Sequence, residues 1–232
     1  MLSSWGVAFE AVNVEGNAAA VEELERRGMR MVPVVTDGER LFHGWNPEEL
    51  ARFVGVEEQR HGKSGEKKLA VAELARRLER IVEAARRAIP EVPPAGLEAK
   101  VPERERTVRD LAYHLFRLSA AYRDALETRT YPESWLQETA PGEMRDAASL
   151  ARYGATVRER LAEWWTRAEA FAGDVETYYG RQSAAELLER TTWHAAQHLR
   201  QLYALMEGMG VRPKEPLAKD DFEGLPLPKE LW

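Results

Sequence analysis

The chain contains no cysteine among its 232 residues. That excludes disulfides, thiolate zinc sites and cysteine nucleophiles, and makes a reducing cytoplasm the simplest setting. No apolar run approaches the roughly 18 residues needed to span a bilayer, and Met1-Leu2-Ser3-Ser4 is not the charged opening of a secretory leader. Basic excess is missing as well: the net charge is -6, so neither nucleic acid nor a membrane surface is an expected partner. No GxGxxG, GxxxxGK or GxSxG run occurs, which leaves dinucleotide, nucleotide and serine-hydrolase chemistry without a foothold.

What charge there is divides unevenly. Residues 1–58 hold 5 Lys+Arg against 11 Asp+Glu, while residues 59–232 hold 28 of each, and the contrast predicts two modules with different surfaces. Between them, Glu57 to Gly65 is polar, glycine-bearing and non-periodic, the composition of a linker, with His61 a solvated member of it. Arginines crowd Lys67 to Arg87 but alternate with Glu73, Glu79 and Glu83, as on a solvated helix face.

In residues 1–56, the β-branched and aromatic run 7–14 reads as a strand. A helix over 18–27 follows, with Val21 and Leu24 inward and Gly28 as its stop. Residues 31–35 and 40–42 form strands around an Asp37-Gly38 turn, which makes His43 a hairpin residue. Asn46 caps a last helix with Pro47 in its first position.

Trp5-Gly6-Val7 leading into a strand, Val32-Pro33 before a hairpin and Gly44-Trp45-Asn46-Pro47 before the final helix resemble the glutaredoxin family, in particular its NrdH-like branch, entered partway through. The resemblance implies an α+β, thioredoxin-like fragment with Pro33 in cis beside the family's active site. The family's Cys-x-x-Cys would fall before Met1, on an inner strand whose loss leaves unpaired backbone groups on two neighbours. Two expectations follow: a redox-dead remnant, or a sequence that begins downstream of the true start.

From residue 66 the pattern turns helical. Leu69, Leu74, Leu78, Ile81, Val82 and Ala85 form one stripe that stops at Pro90 and Pro93-Pro94. Thr107 and Asp110 open a second helix to about Thr128, with Val108, Leu111, Leu115, Leu118, Tyr122 and Leu126 inward. A third runs from Ala147 to Phe171 on Leu150, Tyr153, Val157, Leu161, Trp164 and Ala168. The capping box Ser183-Ala184-Ala185-Glu186 opens a fourth, which ends near Gly208 to Gly210. The reading is an all-α, up-down four-helix bundle over 66–210, with 211–232 packing on it as an extended tail.

Histidines supply the one stretch that asks for chemistry. His194 and His198 lie four residues apart, about 40° apart around a helix axis, at the edge of the stripe Leu188, Ala195, Leu199, Leu202, Met206 and Met209. His114 sits between Leu111 and Leu118 on another apolar face. Buried imidazoles need partners: backbone carbonyls or water would satisfy them as core residues, and a shared cation would satisfy all three. Three imidazoles leave a divalent ion an open position, the catalytic rather than the structural arrangement. The site is not a zincin, because Ala195 stands where that motif has its general-base Glu. Tyr113, Trp164, Trp165, Tyr178 and Tyr179 read as packing.

Leu111-Ala112-Tyr113-His114-Leu115, the His-x3-His-x2-Gln of His194, His198 and Gln201, and the late Gly-Leu-Pro-Leu-Pro run resemble the DinB/YfiT-like superfamily over residues 66–232. The resemblance implies that His114, His194 and His198 bind zinc or nickel, and that the open position takes mycothiol, bacillithiol or glutathione as a thiolate in transfer to, or isomerisation of, an electrophilic substrate. Gln201 would then be a hydrogen-bond partner behind a ligand, and Arg200 or Arg117 would bind a carboxylate of thiol or substrate. Bundles of this kind often pair, so a homodimer is expected. The rival reading is a non-catalytic metal- or thiol-binding protein, or a redox adaptor.

Overall fold

The structure, a computed structural model, describes residues 2, 5–14, 17–29, 32–44, 47–56, 69–102, 104–228 and 231. The linker read at 57–65, the Asn46 cap, Trp45 and Trp232 lie outside them. Two compact units divide the chain, Met1–Lys67 and Lys68–Trp232. Among the described residues no helix is long and apolar enough to cross a membrane.

In the first unit, helix α1 spans Ala18–Arg26 and is capped by Asn17, whose side chain accepts from the Ala20 amide. Strands β1 (Val34–Thr36) and β2 (Leu41–His43) pair antiparallel, Val35 opposite Phe42, and helix α2 follows over Pro47–Phe53. The Val32-Pro33 bond is cis. The strand expected over 7–14 does not form: a strand needs a neighbour for its backbone groups, and β1 and β2 make a sheet of only two, paired with each other. Phe9 and Val12 are exposed in consequence, and Val21, expected to face inward, is 41% exposed.

Helices dominate the second unit. Helix α3 (Val71–Ala88) buries Leu74, Leu78, Ile81, Val82 and Ala85 on one face. Its successor is a 3-10 turn at Ile89–Glu91, because Pro90 cannot continue the ladder, and the short helix α4 occupies Pro94–Leu97. Helix α5 (Val108–Thr128) starts on a reciprocal capping box: Thr107 accepts from the Asp110 amide and Asp110 reaches back to the Thr107 amide. Helix α6 spans Ala147–Trp164 from a second box at Asp146 and Ser149, and helix α7 spans Ala184–Gly208 from a third at Ser183 and Glu186.

α3 and α5 each pack against both α6 and α7, so four apolar stripes share one core. Phe116, Tyr122, Leu78, Ile81, Leu150, Leu161 and Leu187 are its largest fully buried members. α5 and α6 approach closely at Gly154, where an added Cβ would lie 2.5 Å from Phe116 Cζ.

Two expectations for this unit fail. The third helix ends at Trp164 rather than Phe171, leaving Ala168 exposed. Residues Ala168–Phe171 form a 3-10 turn that seats the Phe171 ring on Trp165 (centroids 5.4 Å apart) and brings the Ala170 carbonyl to the Tyr122 hydroxyl at 2.7 Å. Satisfying that buried phenol outweighs another helical turn. Nor is the unit all-α: β3 (Thr130–Tyr131) pairs parallel with β4 (Asp174–Thr177), which pairs antiparallel with β5 (Gly180–Ser183). These strands are too short and too polar to carry a periodic signal. The tail contains a 3-10 turn at Lys219–Phe222 and buries Leu225.

Candidate metal centre

His114 comes from the middle of α5, His194 and His198 from the middle of α7, two helices packed side by side. Their ring centroids lie 4.6 Å (194 to 198), 5.0 Å (114 to 198) and 5.7 Å (114 to 194) apart. One donor nitrogen from each falls within 4.8 Å of the others, a group that could hold a metal ion. Among the described residues no carboxylate joins the group.

The fit of an ion is chemical as well as spatial. His114 and His198 are buried, at 4% and 8% exposure, yet His114 Nδ1 and His198 Nε2 have no hydrogen-bond partner among the described residues. Buried orphan nitrogens are costly, and a cation is a partner that both can share. All three rings are held neutral, as a ligand must be. Burial drives the His114 pKa well below its ordinary value, with His198, Arg106 and Arg117 adding to it. His194 is driven well down by burial, then by His198, His114, Arg190 and Arg106. His198 is pushed down to about 4, chiefly by burial, against the opposing hydrogen bond it donates to Gln201.

Gln201 fixes which nitrogen of His198 is bare. The Leu231 carbonyl can only accept, and it lies 2.6 Å from Gln201 Nε2 and 2.9 Å from Gln197 Nε2. Gln201 Oε1 therefore faces His198 Nδ1 at 2.8 Å and accepts its proton. In a neutral ring that leaves the Nε2 lone pair free, with no protein partner. A tail carbonyl, a glutamine and an imidazole thus form one relay that presents a lone pair.

The two arginines named for carboxylate binding are already engaged. Arg117 is held by Glu138 (2.7 Å) and Asp124 (3.2 Å) and stacks over Trp135. Arg200 donates to Gln197 Oε1 and to the Pro228 carbonyl. Tyr113 stacks on Tyr153 and donates to Glu138. His43 is half-buried on β2, and Pro33 lies next to it through the Gly44 amide, which donates to the Pro33 carbonyl.

Sequence reading passed over Arg190. It lies one turn before His194 on α7 and is 7% exposed, with its guanidinium over the rings of Tyr179, Tyr178 and Tyr131. Its position in the same i, i+4, i+8 row as His194 and His198 was a usable signal; the tyrosine cage, drawn from two separate stretches of chain, was not.

No protein-family model matches the chain. Among curated proteins, the glutaredoxin-like protein NrdH of Lactococcus lactis subsp. lactis (strain IL1403) is 35% identical over 52 residues, a match covering 22% of this chain and 72% of that protein. NrdH of Lactococcus lactis subsp. cremoris (strain MG1363) matches to the same extent. Through its N-terminal part the chain belongs to the glutaredoxin-like NrdH family. The histidine centre lies outside that part.

Proposed function

We propose that the second unit is a DinB/YfiT-like four-helix bundle enzyme. In this reading His114, His194 and His198 hold a divalent ion, zinc or nickel, and the site transfers or isomerises through mycothiol, bacillithiol or glutathione. The observation that carries it is the convergence of three buried or half-buried neutral imidazoles, two of them with orphan nitrogens and no carboxylate among them. An ion bound there supplies Lewis acidity, which lowers a thiol's pKa and provides the nucleophile a cysteine-free chain lacks.

The protein's own part is positional. Gln201 orients His198, the packed stripes of α5 and α7 set the spacing of the rings, and the apolar surroundings keep water from competing. The test is elemental analysis of the purified protein beside His194→Ala, followed by transfer assays with each of the three thiols. A stoichiometric ion that is lost in the variant is expected; equal metal in both removes the site.

One observation favours a second, non-catalytic reading. The N-terminal part belongs to a glutaredoxin-like family, yet the chain has no cysteine with which to exchange disulfides, as would suit an adaptor that binds thiols or metal without turnover. Metal retention with no transfer to any of the thiols supports it.

A further inference from the structure

Resting on the metal and thiol reading above, we infer that the small-molecule ligand of the histidine centre carries a carboxylate, and that Arg190 receives it. Arg190 is buried, and its partners are the hydroxyls of Tyr179 (3.0 Å from Nη1) and Tyr178 (2.8 Å from Nη2) together with three aromatic rings at 4.2 to 5.9 Å, where most buried arginines have a carboxylate. Cation–π contacts return little each beside the cost of taking a charge out of water. Arg117, a part-buried arginine whose charge acts on His114, shows the usual solution, with Glu138 on one side and Asp124 on the other.

Position adds to this. Arg190, His194 and His198 follow one another at four-residue steps on α7, so Arg190 leaves the helix on the histidines' side, about 6 Å along the axis and 40° around it per step. Arg190 is among the charges that act on His194. Among the described residues the centre brings three neutral rings and no carboxylate, so a divalent ion and Arg190 together would leave three positive charges without an anion from those residues. A ligand offering a thiolate at one end and a carboxylate at the other answers both. Two of the five guanidinium N–H groups are taken by the tyrosines, which leaves donors in the planar fork that suits a carboxylate.

The test uses the full chain loaded with Co2+, whose thiolate charge-transfer band reports ligation without turnover. Titration with 3-mercaptopropionate and with 2-mercaptoethanol is expected to show roughly tenfold tighter binding of the former, the worth of one charge-assisted hydrogen bond. Should the carboxylate belong to the electrophile instead, calorimetry will show propionate binding to protein saturated with 2-mercaptoethanol. In Arg190→Met either effect collapses, and Arg190→Lys, which keeps the charge, retains part of it. Equal affinities for the two thiols in the wild type with no propionate binding overturn the inference while leaving the metal and thiol reading intact. A preference that survives Arg190→Met overturns it too, since the carboxylate would then be chelating the ion. If neither thiol produces the band, the reading it rests on falls, and the inference with it.

Discussion

The two units bury their apolar side chains to different extents: the first encloses Phe42, Leu50 and Ala51, the second most of four helical stripes. Helix α1 has a clear apolar side, yet none of its residues is buried, and Phe9, Val12, Val21 and Val32 stand exposed around it. Helix α3 buries eight residues, among them Leu78 and Ile81 with no exposed surface at all. Amphipathic periodicity is present in both, so it is not what decides burial. The deciding factor is a facing layer: α3 meets α6 and α7, whereas the hairpin of β1 and β2 is a two-stranded sheet, too small a platform for independent stability. A hydrophobic stripe proposes a core, and a partner stripe completes it.

Substitutions can break or sharpen that contrast. Phe116→Ala should show the largest effect, about 3–5 kcal/mol lost from the second unit, because the ring is fully enclosed and fills the space left by Gly154. A urea midpoint followed by tryptophan fluorescence measures it, and a loss under 1 kcal/mol would mean that the shared core is loosely packed.

Acidification comes next. His114, His194 and His198 have folded pKa values below the ordinary 6.5, with His198 at about 4. Between those pH values the unfolded chain binds more protons, so the stability these rings allow is complete above about pH 6.5 and drains away as pH falls toward 4. With metal chelated, the second unit should lose on the order of 2 kcal/mol through His198 between pH 6.5 and about 5, with His114 and His194 acting in the same direction. His198→Gln should flatten that slope, and an unchanged slope would show that the ring is not held neutral by burial.

Smallest is Val21→Ala in the first unit, expected to change stability by no more than about 0.5 kcal/mol, because the side chain is 41% exposed. A loss above 1 kcal/mol on thermal melting would mean that α1 has a covering layer after all.

How much of this was legible follows the same division. The boxes at Thr107 with Asp110 and at Ser183 with Glu186, the stop at Pro90, and the rings of His114, His194 and His198 on apolar faces were all readable, since each is a local pattern acting within one or two turns. The three-stranded sheet escaped because Thr130–Tyr131 is two residues long and Gly180–Ser183 is mostly polar. Helix α6 was drawn too long because helical spacing persists into Ala168, and nothing local announces that Tyr122, far back in the chain, will claim the Ala170 carbonyl. The partners of Arg117 and Arg200 escaped for a related reason. Partners such as Glu138 for Arg117 and Pro228 for Arg200 are separated from them by long loops, and pairing across loops leaves no mark in periodicity.

The relay from Leu231 through Gln201 to His198 has a practical consequence at the bench. The Leu231 carbonyl is part of the centre's scaffolding, so a purification handle fused after residue 232 is expected to disturb the alignment of an imidazole. Metal content measured before and after removal of such a handle is the direct check.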